Sequence, residues 1–212
     1  MGEPHQLKYL DDPKIICWFA KNAGGKHPKL EPLPLGLPPY NYTLIHEASK
    51  NLKNFHQRNI TLYLNFSPNT HPDRYAIRKY AEILYKNDSD VMIVKNWTVW
   101  TDYLQHLNNS KFVISPPGVG LDCYRTWEAI IMGAIPIVLR TEISSLYDGL
   151  PVMFVDSWTD IKKENLEIFE QKYLGSFNSS CPPWRPKIWA RHWITKIMDI
   201  KTSYISNFCN KA

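Results

Sequence analysis

No stretch of this 212-residue chain approaches the ~20 consecutive apolar residues that cross a bilayer, so no membrane segment is expected within it. The first residues, MGEPHQLKYLDDP, are polar and lack the apolar core of a signal peptide. If the protein works in a secretory compartment, its targeting piece is expected to lie outside this sequence. Cysteine is sparse: Cys17, Cys123, Cys181 and Cys209 show no CxxC spacing, which argues against a metal site. Cys181 and Cys209 are candidates for a disulfide in an oxidising lumen, but spacing alone leaves the pairing open. There is no basic tract and no nucleic-acid motif. The net charge of +5 is spread along the chain, which suits a phosphate-bearing small ligand better than a nucleic acid. Internal repeats and low-complexity tracts are also missing.

What is present is ordinary globular material, 44% hydrophobic and 21% charged. A chain of this length buries roughly 70% of its unfolded surface and needs no staples. Aromatics are abundant, with Trp 8 and Tyr 12. Asn-x-Ser/Thr occurs at Asn41, Asn59, Asn65, Asn87, Asn96, Asn108 and Asn178. About two would arise by chance, so either the chain passes through the secretory route or it is merely rich in asparagine.

From Ile60 the sequence alternates. ITLYLNF, VMIVK, KFVIS, AIPIVL and PVMFVD read as strands; RYAIRKYAEILYK, WTDYLQHLNN and DCYRTWEAIIMG read as helices, the last closed by Gly133. SSLYDG reads as a short helix. Strand and helix in turn, with short links, predict right-handed crossovers on a parallel sheet, and the nearly all-apolar strands predict that both faces are covered. The expected fold is therefore α/β, a Rossmann-like parallel sheet with helices on both faces. Residues 59–212 form that domain, ending in a helix from RPKIWARHWITKIMDI that turns Ile188, Trp189, Trp193, Ile197 and Ile200 to one side. Residues 1–58 are expected to be a helical and extended N-terminal segment: DDPKIICWFAKNAG as a helix, KLEPLPLGLPPYN extended, and a helical stretch near His46 to His56.

The most informative stretch is SPPGVGLDCYRTWEA, Ser115 to Ala129. In an open parallel sheet, ligands bind outside the carboxyl ends of the strands. Pro116 and Pro117 fix the exit from KFVIS, while Gly118 and Gly120 let backbone amides approach a ligand. The next helix offers unpaired N–H groups and a partial positive charge, which suits a diphosphate. Asp122 can cap that helix. Arg125 can hold phosphate oxygens with two parallel bonds, and Glu128 can accept from the vicinal hydroxyls of a ribose. These three lie on one stripe of a 3.6-residue helix, with Tyr124, Trp127 and Ile131 beside them toward the sheet. Surface ion pairs at i,i+3 would explain the same pattern. GxGxxG lacks its third glycine here, which argues against NAD.

KFVISPPGVGLDCYRTWEAIIMGAIPIVLRTEISSLYDGLPVMFVDSW resembles the C-terminal, donor-binding half of the exostosin-like glycosyltransferases: a strand, S-P-x-G, R-x-x-E-A, a small-residue turn, then I-P-V/I. HPKLEPLPLGL and LYLNF resemble the approach to that half. The resemblance covers roughly residues 10–200 and implies GT-B architecture, with a nucleotide-diphosphate sugar as donor and no required metal. It implies that Arg125 and Glu128 contact the diphosphate and ribose, and that Ser115, Pro116, Gly118 and Gly120 line the nucleotide pocket. Asn65 and Ser67 after one strand, and Lys95 after the next, would stand at the same edge. A glycan acceptor and the Golgi or another secretory lumen follow from the same likeness. The N-terminal segment is too short for a second Rossmann domain and is expected to be the remnant of an acceptor domain, or the link to one. No catalytic base is legible; His46, His71 and Asp73 are loose candidates. Three readings stand: a sugar transferase, a nucleotide-sugar-binding module without catalysis, and an unrelated phosphate binder on a similar fold.

Overall fold

The computed structural model describes residues 4–96, 98–176 and 185–209. In chain order its regular elements are β1 (Trp18–Lys21), β2 (Leu30–Leu33), α1 (Tyr42–Ala48), β3 (Ile60–Leu64), α2 (Pro72–Leu84), β4 (Val91–Ile93), α3 (Trp100–Asn109), β5 (Ser110–Ile114), α4 (Tyr124–Ile131), β6 (Ile135–Leu139), β7 (Met153–Val155), α5 (Lys163–Ser176) and α6 (Ala190–Cys209), with short 3-10 turns between. They form two compact units. One comprises Met1–Leu35, Glu142–Leu150 and Ser180–Ala212; the other comprises Gly36–Thr141 and Pro151–Ser179.

The smaller unit corrects one expectation. The stretch read as a helix from Asp11 to Gly24 contains β1, paired in parallel with β2 from Trp18↔Leu30 to Lys21↔Leu33. Ile15, Ile16, Trp18 and Phe19 are β-branched or aromatic, so this run packs better as a strand. Asp12 accepts from the Lys14 N–H at 2.8 Å, closing the turn after a 3-10 helix over Pro4–Asp11 rather than starting a new helix. Asn22, at φ 51, turns the chain out of β1. The C-terminal helix forms only from Ala190, after a 3-10 turn over Arg185–Ile188: Trp193 is buried, Ile188, Ile197 and Ile200 are half-buried, and Trp189 stays exposed. Lys196 of that helix pairs with Glu31 of β2 at 2.6 Å. The proposed Cys181–Cys209 disulfide and the Asn178 sequon lie outside what the structure describes.

The larger unit is the predicted α/β fold. Its five parallel strands stand in the order β4-β3-β5-β6-β7. Register is set by pairs such as Leu62↔Phe112 and Phe112↔Ile135. Alternate residues face opposite sides. Leu62, Leu64, Phe112, Ile114 and Ile137 pack with Ile77 and Ala81 of α2 and Leu166 of α5. Tyr63 and Val113 pack with Ile45 of α1, Leu104 and Leu107 of α3, and Ala129 of α4. Both faces are thus covered, which explains why the strands are apolar throughout. Gly133, at φ 74, ends α4 as expected: its N–H reaches the Ile130 carbonyl at 3.0 Å, and the Ala134 N–H reaches that of Ala129 at 2.8 Å. Arg58 is buried and donates to the carbonyls of Leu107, Ser110, Lys53 and Met132, tying together the ends of α3 and α4. Its guanidinium pKa falls to about 10 through burial, so it stays charged at neutral pH.

Strand order decides where a ligand belongs. The chain enters at β3, steps outward to β4, then returns to the other side of β3 at β5. Connections therefore run in opposite directions from β3 and β5, and the carboxyl ends of the strands at such a reversal are where open parallel sheets take their ligands.

Candidate functional site

At that reversal β3 delivers Asn65, Phe66 and Ser67, and β5 delivers the loop from Ser115 to Gly120. Phe66 is buried, and three guanidinium groups gather around its ring. Those of Arg74 and Arg78 lie 5.6 Å from its centroid, and that of Arg125 lies 5.7 Å away. Each such contact is worth about 0.5–2 kcal/mol, depending on desolvation. Local sequence explains the gathering. Pro72 stands in the first turn of α2, and His71 accepts from the Asp73 N–H at 3.3 Å, so the helix begins directly after the β3 loop. Arg74 and Arg78 then fall at i and i+4 on one face.

The three arginines have different tasks. Arg74 is buried and donates to the Pro117 carbonyl at 2.7 Å, the Pro116 carbonyl at 3.2 Å and the Ser67 carbonyl at 3.3 Å. It clamps the β3 loop to the β5 loop. Burial, then the charge of Arg125, lowers its pKa. Arg78 donates to the Phe66 carbonyl at 2.5 Å and the Val94 carbonyl at 3.2 Å, tying β3 to β4. Arg125 makes no hydrogen bond or ion pair among the described residues, and its buried Nε has no partner there. Two of the cations are therefore spent on backbone, and the third keeps its donors. No carboxylate forms an ion pair with any of the three among the described residues. Arg125 therefore has donors left for an acceptor, with Glu128 acting on it through charge but making no ion pair with it.

Glu128, one turn along α4 from Arg125, is buried and accepts from the Tyr103 hydroxyl at 2.6 Å. Burial raises its pKa, opposed by the Tyr103 hydrogen bond and the Arg125 charge. Asp122 is also buried, and both its oxygens accept from the Trp127 indole N–H at 2.9 and 3.0 Å. The N-cap position is Cys123, whose side chain makes no capping bond. Asp122 stands one residue before it and braces α4 through Trp127, so it does not cap the helix and lies outside the expected stripe, which keeps Arg125 and Glu128. Of the neighbouring apolar stripe, Trp127 is buried, while Tyr124 and Ile131 are half-buried.

Asn65 donates through its amide nitrogen to the Tyr63 hydroxyl at 2.8 Å and to Thr98 Oγ1 at 3.3 Å. The Tyr63 hydroxyl in turn meets His106 Nδ1 at 3.2 Å. Both amide hydrogens are thereby used, leaving Oδ1 as an acceptor with no partner among the described residues. Ser115 is buried against Thr126 at 2.8 Å. Pro116 lends its carbonyl to Arg74 and, at 3.5 Å, to the Cys123 thiol. Gly118 donates its N–H to the Gly120 carbonyl at 2.9 Å, and a Cβ on Gly118 would stand 3.0 Å from Arg74 Nη2. Ser67 is exposed, its hydroxyl accepting from the Asn69 N–H at 3.5 Å. Lys95 is exposed and 3.9 Å from Glu82.

Of the loose base candidates, His71 and Asp73 serve the start of α2, and His46 is an exposed ring stacked on Tyr42. One Asp-x-Asp triplet is present, Asp88-Ser89-Asp90. It precedes β4 at the amino edge of the sheet, where both carboxylates receive the Lys163 ammonium, at 2.5 and 2.7 Å. Sequence reasoning missed Arg74, Arg78 and Phe66. The legible signal was a pair of arginines four apart in the helix directly after the first strand of the sheet.

The family model of the RXYLT1 C-terminal domain matches residues 61–174. The chain belongs to that family. The match bears out the exostosin-like resemblance carried by Lys111 to Trp158, and the family is glycosyltransferase-like. The RXYLT1 C-terminal domain spans this chain from β3 to α5 and so includes Phe66, the three arginines, Tyr103 and Glu128. No curated protein matches the chain.

Proposed function

We propose that this edge binds a nucleotide-diphosphate sugar, and that the chain is the donor-binding part of a GT-B glycosyltransferase acting on a glycan or protein-linked acceptor in the Golgi or another secretory lumen. The observation that carries the reading is Arg125, a guanidinium with unspent donors at the switch point, in a cluster of three cations without a paired carboxylate. In sugar transfer the bond from the anomeric carbon to the diphosphate oxygen breaks as the bond to the acceptor oxygen forms. The departing diphosphate gains negative charge, and donors already aimed at it stabilise that state without reorganising. Arg125 holds the diphosphate, with the amides at the start of α4 beside it. Glu128, oriented by Tyr103, accepts from ribose hydroxyls, and Asn65 Oδ1 accepts from a donor group on the ligand. Arg74 and Arg78 act through the loops they hold.

A non-catalytic nucleotide-sugar module is the second reading. It is favoured by the lack of an evident base to deprotonate the acceptor, since His71 and Asp73 are engaged at the start of α2. A panel of nucleotide sugars, with and without glycan acceptors, separates the two by release of nucleoside diphosphate. The expected result is acceptor-dependent release with one donor. Binding without release under every acceptor would establish the module instead. No binding at all would contradict both.

A further inference from the structure

Seven N-glycosylation sequons are more than chance supplies, and the site described above absorbs only Asn65. The fold places four of them, while Asn96, exposed after β4, stands at the opposite, carboxyl edge. Three precede consecutive strands: Asn59 stands directly before β3, Asn87 before β4, and Asn108 before β5. In a parallel sheet those positions share the amino edge, and the ligand crevice lies at the other. Asn59 and Asn87 are exposed, and neither side chain has a hydrogen-bond partner among the described residues. Asn108 is engaged at both ends of its amide: Oδ1 accepts from the Lys53 N–H at 2.8 Å, and Nδ2 donates to the Asn51 carbonyl at 3.1 Å. Asn65 is half-buried with its amide nitrogen on Tyr63 and Thr98.

We propose that Asn59 and Asn87 are acceptors of N-linked glycans, on the sheet edge facing away from the crevice. The co-substrate is a polyprenyl-diphosphate-linked oligosaccharide. A bond forms between the asparagine Nδ2 and the anomeric carbon as the bond from that carbon to the diphosphate oxygen breaks. The amide proton leaves to a base on the transferring enzyme. A glycan at either position is compatible with the fold, because no native hydrogen bond has to be given up. The five-residue β3 keeps Asn59 about 17 Å from the ligand edge, and Asn87 stands before the three-residue β4 on the same amino edge, so a glycan adds bulk and solubility there. Asn59 is expected to be the better acceptor. Its sequon is Asn-Ile-Thr, whereas Asp88 inside the second sequon is held by Lys163, and a glycan beside it crowds that ion pair.

The test is production of the full chain behind a cleavable secretion signal in a glycosylating eukaryotic cell. Occupancy is read by enzymatic deglycosylation in heavy-oxygen water with mass spectrometry of each asparagine. Asn59 should be occupied in most molecules and Asn87 in a smaller fraction, with Asn65 and Asn108 unmodified in the folded, secreted chain. Asn59→Gln should remove one glycan's mass. Asn87→Gln and Ser89→Ala should each remove the other, so the assignment does not depend on a single substitution. Titration with uridine diphosphate should give the same affinity before and after deglycosylation. Secreted, folded protein with bare Asn59 and Asn87 would overturn the proposal. A glycan on Asn65 or Asn108, or a several-fold gain in diphosphate affinity on deglycosylation, would overturn the sorting by edge. Neither outcome bears on whether Arg125 binds a diphosphate.

Discussion

At the scale of residues, the site depends on which polar groups are already satisfied. Arg125 and Glu128 are one helical turn apart, yet no ion pair joins them; the carboxylate faces the Tyr103 hydroxyl instead. Its raised pKa has a consequence for stability. The folded state holds the Glu128 proton more tightly than the unfolded chain does, so the stabilisation is fully present below the ordinary value of 4.5. It is lost as pH rises through the folded value. Glu128→Gln keeps an acceptor for Tyr103 and removes the titration. Melting temperatures measured from acid to neutral pH should show the variant gaining on the wild type as pH rises; parallel curves would refute the assignment. Arg125 and Glu128 were legible in the sequence because R-x-x-E at a helix start follows a rigid loop. Arg74 and Phe66 were not, because what unites them is a helix turn lying beside the loop of a strand some 40 residues on, as the Arg74 to Pro116 separation of 42 shows. Asp122 was misplaced as a cap because α4 starts one residue later than it seemed, and the Trp127 indole N–H needed an acceptor.

At the scale of elements, Arg74 holds the crevice in shape. It satisfies three backbone carbonyls from two loops that share no other strand-type pairing. Arg74→Ala would leave these acceptors without their donor and open space beneath Gly118. A loss of about 2–4 kcal/mol is expected from the unsatisfied groups, which for a domain of this size lowers the melting temperature by roughly 5–15 °C. Differential scanning calorimetry measures it, and a shift under about 2 °C would mean the loops hold themselves. The alternation of strands and helices from Ile60 to Val155 was legible because each strand is apolar throughout and each helix is punctuated by glycine, proline or asparagine. β1 was not, because Asp11, Asp12 and Pro13 imitate a helix start while the residues after them favour a strand.

At the scale of the molecule, strand order turns scattered residues into a site. The order β4-β3-β5-β6-β7 places the loops after β3 and β5 at the reversal point, which periodicity along the chain does not reveal. The same order puts Asn59, Asn87 and the Asp88-Ser89-Asp90 triplet at the far edge. With a net charge of only +5, the cationic character of the crevice comes from local placement of arginine rather than from overall composition. The most direct test is calorimetric titration of uridine diphosphate and other nucleoside diphosphates into the wild type, Arg125→Lys and Arg125→Ala, with circular dichroism to confirm the fold. The wild type should bind one of them, Arg125→Lys should bind it more weakly, and Arg125→Ala should lose roughly 10–100-fold in affinity, the worth of one to two charged hydrogen bonds. Equal affinity across the three folded proteins would contradict a diphosphate site built on Arg125.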